Sequence, residues 1–406
     1  MPPHSCPARK LNLVAEPQPE AARVWVLASP RAGEQTQLLA LADALGLPYE
    51  VKRIAHHRLG SLPGMLGHEG LAGVDLERSD PLTGPWPELV LLAHHRNEAV
   101  ARWIRRRSGG RTKLVLLGRP WLPASVFDLV VTTPQYGLEA RGNVLQNALP
   151  LHPVSHERLA AEASRWRPRV ARLPGPYVTV LVGGNSGPYV LDEAAATRLG
   201  REVSALARQL GGSVLVTTSA RTPTAAAEAL FDAIDAPAFL HRWSPGQAEN
   251  PYHGIIGLAE RIVVTADSIS MIAEACASGR PVQLFDLPAA GPLAMREGAE
   301  AARPERLRHR ALGWLYAAYL RLPRGRLNRA RDLRVVHRAL LAAGRVSWLG
   351  EPSAEQSLRL AGSEMTRTVN RLRDLLRESG PAPARRREGG VAALTSPLPE
   401  LSPAAG

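Results

Sequence analysis

Residues 261–286, Arg-Ile-Val-Val-Thr-Ala-Asp-Ser-Ile-Ser-Met-Ile-Ala-Glu-Ala-Cys-Ala-Ser-Gly-Arg-Pro-Val-Gln-Leu-Phe-Asp, gather side chains suited to binding an anion or a ribose phosphate. Asp267 and Ser268 follow the β-branched run Ile262-Val263-Val264 and stand where a helix over residues 270–277 begins. The unpaired N–H groups of such a helix start favour negative charge. Ser268, Met271 and Glu274 recur at helical spacing and so share one face. Two uses are open for them. Either Asp267 or Ser268 caps the helix and Glu274 is solvated, or the group lines a ligand crevice.

Other clusters carry similar chemistry. Gly183-Gly184-Asn185-Ser186-Gly187 follows the apolar run 177–182, and paired glycines let backbone N–H groups approach a phosphate closely. Ser219-Ala220-Arg221-Thr222-Pro223 follows the run 214–217; Arg221 beside hydroxyls can hold a phosphate by charge-assisted bonds, or can be a surface arginine next to a helix cap. Near the N-terminus, Glu34 opens a helical pattern after the run 24–28, where it either complements the helix dipole or acts as a catalytic carboxylate. That turn holds one glycine, Gly33, and so is not a dinucleotide fingerprint. His94-His95 follows the run 88–93; adjacent histidines point to different sides, and no metal site is expected.

These residues fall at the ends of apolar runs that alternate with helical patterns, as in an α/β protein with parallel sheets. With 406 residues, two domains of ordinary size have room for proper cores. The expected architecture is two doubly wound Rossmann-like domains with an interdomain cleft. The layout is a disordered leader (1–21), a first domain (22–155), a Pro-rich linker (156–176), a second domain (177–303), a basic helical segment with a closing helix (304–379), and a disordered tail (380–406).

Net charge is +13, and all but three of the 50 basic residues are arginine. Abundant Arg, Ala, Gly and Pro accords with a GC-rich coding bias. With 5% aromatic residues and no recognition motif, nucleic acid is not expected as a partner. Residues 305–345 hold eleven arginines against Glu305 and Asp332, interleaved with Leu312-Gly-Trp-Leu-Tyr-Ala-Ala-Tyr-Leu320. Such a segment suits an anionic membrane surface, or a core helix with a solvated basic face. No apolar run approaches the roughly 20 residues of a membrane span. Cys6 and Cys276 do not form a disulfide framework, and the expected location is cytoplasmic, peripheral on the inner membrane.

The Gly183 and Ser219 clusters, Asn250-Pro251-Tyr252 and residues 265–274 together resemble the mitochondrial-fission Elm-type family, whose bacterial members are labelled nucleoside-diphosphate-sugar epimerase-like. The resemblance covers residues 24–288. It is weaker in the first domain, where His94-His95-Arg96 replaces a more Gly-rich turn. More distantly, the chain is similar to the GT-B glycosyltransferases, especially the N-acetylglucosaminyltransferase of peptidoglycan synthesis. In that enzyme a Gly-Gly-Ser loop opens the second domain, and a glutamate ahead of Gly-x-Pro contacts the donor ribose. Gly183-Gly184-Asn185-Ser186 and Glu274, ahead of Gly279-Arg280-Pro281, match those places. Its first domain carries Gly-His where Gly33-Glu34 stands here, so Glu34 takes the place of the catalytic base.

The resemblance implies a GT-B-type glycosyltransferase moving a sugar from a nucleotide-activated donor to an envelope or lipid-linked acceptor. The donor is a substrate, and no separate cofactor is implied. It would be held by Gly183, Gly184, Asn185, Ser186, Ser219, Arg221, Thr222, Asp267, Ser268, Met271 and Glu274. Two rivals share the fold: a non-catalytic membrane-associated scaffold and a nucleotide-sugar epimerase.

Overall fold

A computed structural model describes residues 23–57, 69–289, 293–296, 307–321, 330–352 and 363–378. The expected leader and tail lie outside the described residues.

Two six-stranded, wholly parallel sheets organise the chain. The first is built from β1 (Val24–Leu27), β2 (Tyr49–Lys52), β3 (Leu89–Leu92), β4 (Lys113–Leu117), β5 (Leu129–Thr132) and β6 (Val144–Gln146), in the order β2-β1-β3-β4-β5-β6. β1, β3 and β5 are buried along their whole length, which explains why they read as continuous apolar runs rather than alternating ones. Helix α1 (Ala32–Leu45) packs Leu38, Leu41, Ala42 and Leu45 on one face of this sheet, and Gly46 ends it in the left-handed region. Helix α2 (Glu98–Arg107) buries Val100, Ala101 and Ile104 on the other face.

The second sheet comprises β7 (Tyr177–Leu181), β8 (Ser213–Thr217), β9 (Ala238–His241), β10 (Arg261–Thr265), β11 (Val282–Phe285) and β12 (Ser347–Trp348), ordered β12-β11-β10-β7-β8-β9. This is the strand order of a Rossmann fold, with reversal between β7 and β10. Its helices are α3 (His156–Val170), α4 (Glu193–Gln209), α5 (Thr224–Asp232), α6 (Tyr252–Leu258) and α7 (Ile269–Ala277). The two doubly wound domains meet the expected GT-B-like plan.

The expected linker at 156–176 is corrected. Residues 156–170 form α3, whose Leu159, Ala163, Trp166 and Val170 enter the second core. The proline signal misled because Pro168 stands inside the helix without breaking it, while Leu159, Ala163, Trp166 and Val170 keep helical spacing. Gly254 and Gly257 of α6 let α3 come close: a Cβ at Gly254 would lie 2.3 Å from the Trp166 ring, and one at Gly257 2.4 Å from the Leu159 carbonyl.

The basic segment divides. Helix α8 (Leu307–Arg321) exposes Trp314 and Leu315 at 60% and 67%, whereas α9 (Leu333–Ala342) buries Leu333, Val336, His337 and Leu340 in the second domain. Helix α10 (Ser363–Arg377) returns to the first domain. There Val369, Leu372 and Leu375 join the core beneath α1, and the Thr368 hydroxyl takes a bond from Asn147. No helix among the described residues is long and apolar enough to cross a membrane.

Candidate functional site

In a doubly wound sheet a crevice opens at the carboxyl edge where the strand order reverses. In the second domain that point lies between β7 and β10, which are hydrogen-bonded neighbours. The loop after β7 is Gly183-Gly184-Asn185-Ser186-Gly187; the turn after β10 is Ala266-Asp267-Ser268. They are locked together. The Gly183 N–H donates to Thr265 Oγ1 (2.7 Å), and the Gly184 N–H to Asp267 Oδ2 (3.1 Å). The Ser219 and Thr222 hydroxyls, after β8, donate to the Gly183 carbonyl at 2.5 and 2.6 Å. The glycine amides expected to approach a phosphate therefore fix the loop instead. Asn185 Oδ1 likewise accepts from the Leu191 N–H (2.9 Å).

Two glycines are required here by close approach. A Cβ on Gly183 would lie 2.5 Å from both Asp267 carboxylate oxygens, and one on Gly184 2.1 Å from the Arg221 carbonyl oxygen. The second neighbour is backbone and cannot swing away. Gly184→Ala is expected to cost about 1–3 kcal/mol by overpacking, measured by urea denaturation. Destabilisation under 0.5 kcal/mol, a bound set by the usual scatter of surface substitutions, would contradict this placement.

Asp267 and Ser268 do not cap α7: neither side chain bonds its first turn, and Asp267 faces the loop. The Asp267 side chain is fully buried and pairs through Oδ2 with Arg221 (2.8 Å), whose own side chain is 43% exposed. Burial pushes the Asp267 carboxyl up, and Arg221 draws it back. Its Oδ1 is buried with no hydrogen-bond partner.

One turn further on, Glu274 is 8% exposed, so the solvated reading fails. Burial pushes its carboxyl up to about 7; the Tyr252 hydroxyl and the charge of Arg158 partly offset that rise. Tyr252 opens α6, and its buried hydroxyl faces Glu274 without a well-aligned bond. A carboxylate poised near neutrality beside a phenol suits acceptance of ribose hydroxyls. Met271 is half-buried against the domain core, so the helical face shared with Ser268 and Glu274 looks partly inward.

The first sheet reverses between β1 and β3. After β1, Glu34 accepts from the Ser29 hydroxyl (2.6 Å) and from Arg31 (3.0 Å), one bond to each oxygen. After β3, the ring of buried His94 is tilted 36° against that of His95, which lies flat on Trp121 with ring centroids 4.0 Å apart. Burial lowers the His94 pKa, which favours the neutral imidazole, and the Glu34 charge acts against that shift. His56, after β2, meets Asn97 Oδ1 through Nε2 (2.9 Å), while Asn97 donates to the Ala28 carbonyl (3.0 Å).

The two crevices face each other. A Cβ on Gly33, next to Glu34, would lie 3.3 Å from Ser270 Oγ at the start of α7. The Glu34 turn of one domain thus lies close to the Asp267–Ser270 turn of the other.

The family model of mitochondrial fission ELM1 matches residues 32–303. The chain belongs to this family. It is 28% identical over 221 residues to the mitochondrial fission protein ELM1 of Arabidopsis thaliana, covering 48% of this chain and 51% of that protein. The match spans about half the length of that relative. Among solved structures, this ELM1-family chain is similar to a UDP-GlcNAc 2-epimerase from Neisseria meningitidis bound to UDP-GlcNAc, with 11% identity over 79% of this chain and 99% of that one, and a TM-score of 0.41. A glycosyltransferase from Rickettsia africae aligns over 88% and 98% of the two chains at 11% identity and a TM-score of 0.41.

Sequence reasoning missed three groups that this ELM1-family structure brings to the cleft. His94 was seen only as a strand-end residue; its nearness to Glu34 follows from the pairing of β1 with β3. Tyr252 belongs to the Asn250-Pro251-Tyr252 motif, but its nearness to Glu274, 22 residues on, emerges only in the folded chain. Tyr316 and Arg331 lay in the segment read for membranes, yet both reach the Gly183 loop.

Proposed function

We propose that the protein is a GT-B-type glycosyltransferase taking a sugar from a nucleotide-activated donor. The observation carrying this reading is that two switch-point crevices, each lined by polar strand ends, meet across the Gly33–Ser270 contact. In this reading the nucleoside lies against α7, its ribose at Glu274 and Tyr252. The diphosphate lies along the loop from Gly183 to Ser186, near Arg221, Ser219 and Thr222. Fixed donors there stabilise the departing nucleoside diphosphate.

The acceptor occupies the first crevice, where its attacking hydroxyl must lose a proton. Glu34 fills the base position by resemblance, but each of its oxygens already accepts a bond. In this reading neutral His94 takes that proton, with the Glu34 charge stabilising the imidazolium that results. His94→Asn is expected to lower kcat about a hundredfold with little change in KM for the donor. An unchanged kcat returns the role to Glu34.

Exposed Trp314 and Leu315, within a segment rich in arginine, suit an anionic membrane surface and hence a lipid-linked or envelope acceptor. The engaged oxygens of Glu34 also favour a second reading, a membrane-associated scaffold that binds nucleotide without turnover. Release of nucleoside diphosphate from a panel of nucleotide sugars, with lipid extract as acceptor source, decides between them. Turnover abolished by Glu274→Ala supports the transferase. A cellular role that survives Glu274→Ala, with no turnover by wild type, supports the scaffold.

A further inference from the structure

We infer that Arg331, from the segment beyond the second Rossmann core, is the cation that holds the donor's diphosphate; this rests on the donor-site reading above. Arg331 Nη2 donates to Ser186 Oγ of the glycine-rich loop (3.3 Å), 145 positions earlier in the chain. Its backbone is clamped: the Tyr316 hydroxyl donates to the Arg331 carbonyl (2.9 Å) and accepts from the Arg331 N–H (3.0 Å). The Tyr316 ring in turn covers the loop, since a Cβ on Gly187 would lie 3.7 Å from it. The next residue, Asp332, donates its N–H to the Gln135 carbonyl of the first domain (2.9 Å). Arg331 therefore stands at the seam of the two domains, against the Gly183 loop.

Charge accounting singles it out. Arg221 also reaches the loop, bonding the Asn185 carbonyl at 3.3 Å, but buried Asp267 neutralises it. The Gly183 and Gly184 amides are already bonded within the protein. Arg334 is taken by Asp332 at 2.8 Å. The guanidinium of Arg331 meets a hydroxyl and, among the described residues, no carboxylate. A diphosphate laid along this loop needs a cation, and a guanidinium offers a planar pair of N–H donors to phosphate oxygens. The Ser186 hydroxyl orients it in the meantime.

The test is isothermal titration of the full chain and its Arg331→Ala and Arg331→Lys variants. The probes are UDP, ADP, GDP, CDP and dTDP, the matching nucleosides, and inorganic pyrophosphate, each at low and high salt. For the diphosphate that wild type binds, Arg331→Ala should weaken affinity about tenfold or more and flatten its salt dependence. Arg331→Lys should recover part of the loss. Affinity for the matching nucleoside should stay unchanged, which also shows that the variant is folded. Equal diphosphate affinity in wild type and Arg331→Ala overturns the assignment alone, as does an equal loss for nucleoside and diphosphate. Wild type that binds none of the probes overturns the donor-site reading, and the assignment with it.

Discussion

Arg221→Ala is expected to destabilise the second domain by about 3 kcal/mol at pH 8, the low end for breaking a buried pair. The carboxylate left behind sets the size of the effect. Asp267 has a fully buried side chain, its Oδ1 already lacks a partner, and Arg221 is its only ion-pair partner among the described residues. The arginine contributes less in itself, being 43% exposed and screened by water. Removing both groups should therefore cost less than removing Arg221 alone. Arg221→Ala/Asp267→Ala is expected to recover part of the stability lost in the single variant.

The pH dependence has a definite sign. Burial raises the Asp267 pKa even with Arg221 present, and losing Arg221 raises it further. A raised carboxyl stabilises the fold at low pH and loses that contribution as pH rises through the folded pKa. The Arg221→Ala defect should thus shrink on acidification, as measured by urea unfolding from pH 5 to 8. A defect that is constant with pH, or a double variant less stable than the single one, would remove the Asp267–Arg221 pair from the account.

A comparable effect is expected at Glu274. Its carboxyl stands at about 7 in the folded protein against an ordinary 4.5. Relative to Glu274→Gln, the wild type should lose about 3 kcal/mol of stability as pH rises from 4.5 to above 7. The direction again follows from a raised pKa: the fold binds the proton more tightly than the unfolded chain and forfeits that advantage as the proton leaves. Ligand binding should run the other way. Ribose hydroxyls donate to the ionised carboxylate, so affinity for a ribonucleotide should rise between pH 6 and 8 and lose that rise in Glu274→Gln. Parallel stability curves for the two proteins would show that Glu274 is not held in a desolvating site.

The second-domain turns were legible because close backbone approach demands glycine, and because polar residues at the carboxyl ends of apolar runs have few structural uses. Glu274 was legible from spacing: it and Met271 fall inside α7, with Ser268 as the residue just before the helix. What spacing could not reveal was the direction of each bond. The Gly183 and Gly184 amides read as open donors, yet Thr265 and Asp267 of β10 and its turn consume them once β7 and β10 pair. Asp267 read as either a cap or a ligand contact, because local sequence is blind to a loop 83 residues away.

The same blindness hid α3, where Pro168, Pro174 and Pro176 outweighed four apolar residues at helical spacing. It also hid the basic segment's two allegiances. Val336 and Leu340 drive α9 into the core, but whether Arg331 faces solvent or the Gly183 loop is decided by where Tyr316 and Gln135 stand. Two-residue β12 lacks the length to register as a strand, and exists because β11 offers its edge.

The central claim is that a nucleotide lies between the Gly183 loop and Glu274. A crystal structure of the full chain soaked with nucleoside diphosphates tests it most directly. Density is expected at the carboxyl edge of β7 and β10, with ribose oxygens within hydrogen-bond reach of Glu274 and phosphate oxygens beside Ser186 and Arg331. A nucleotide bound elsewhere, or a crevice left empty at millimolar ligand, would contradict it.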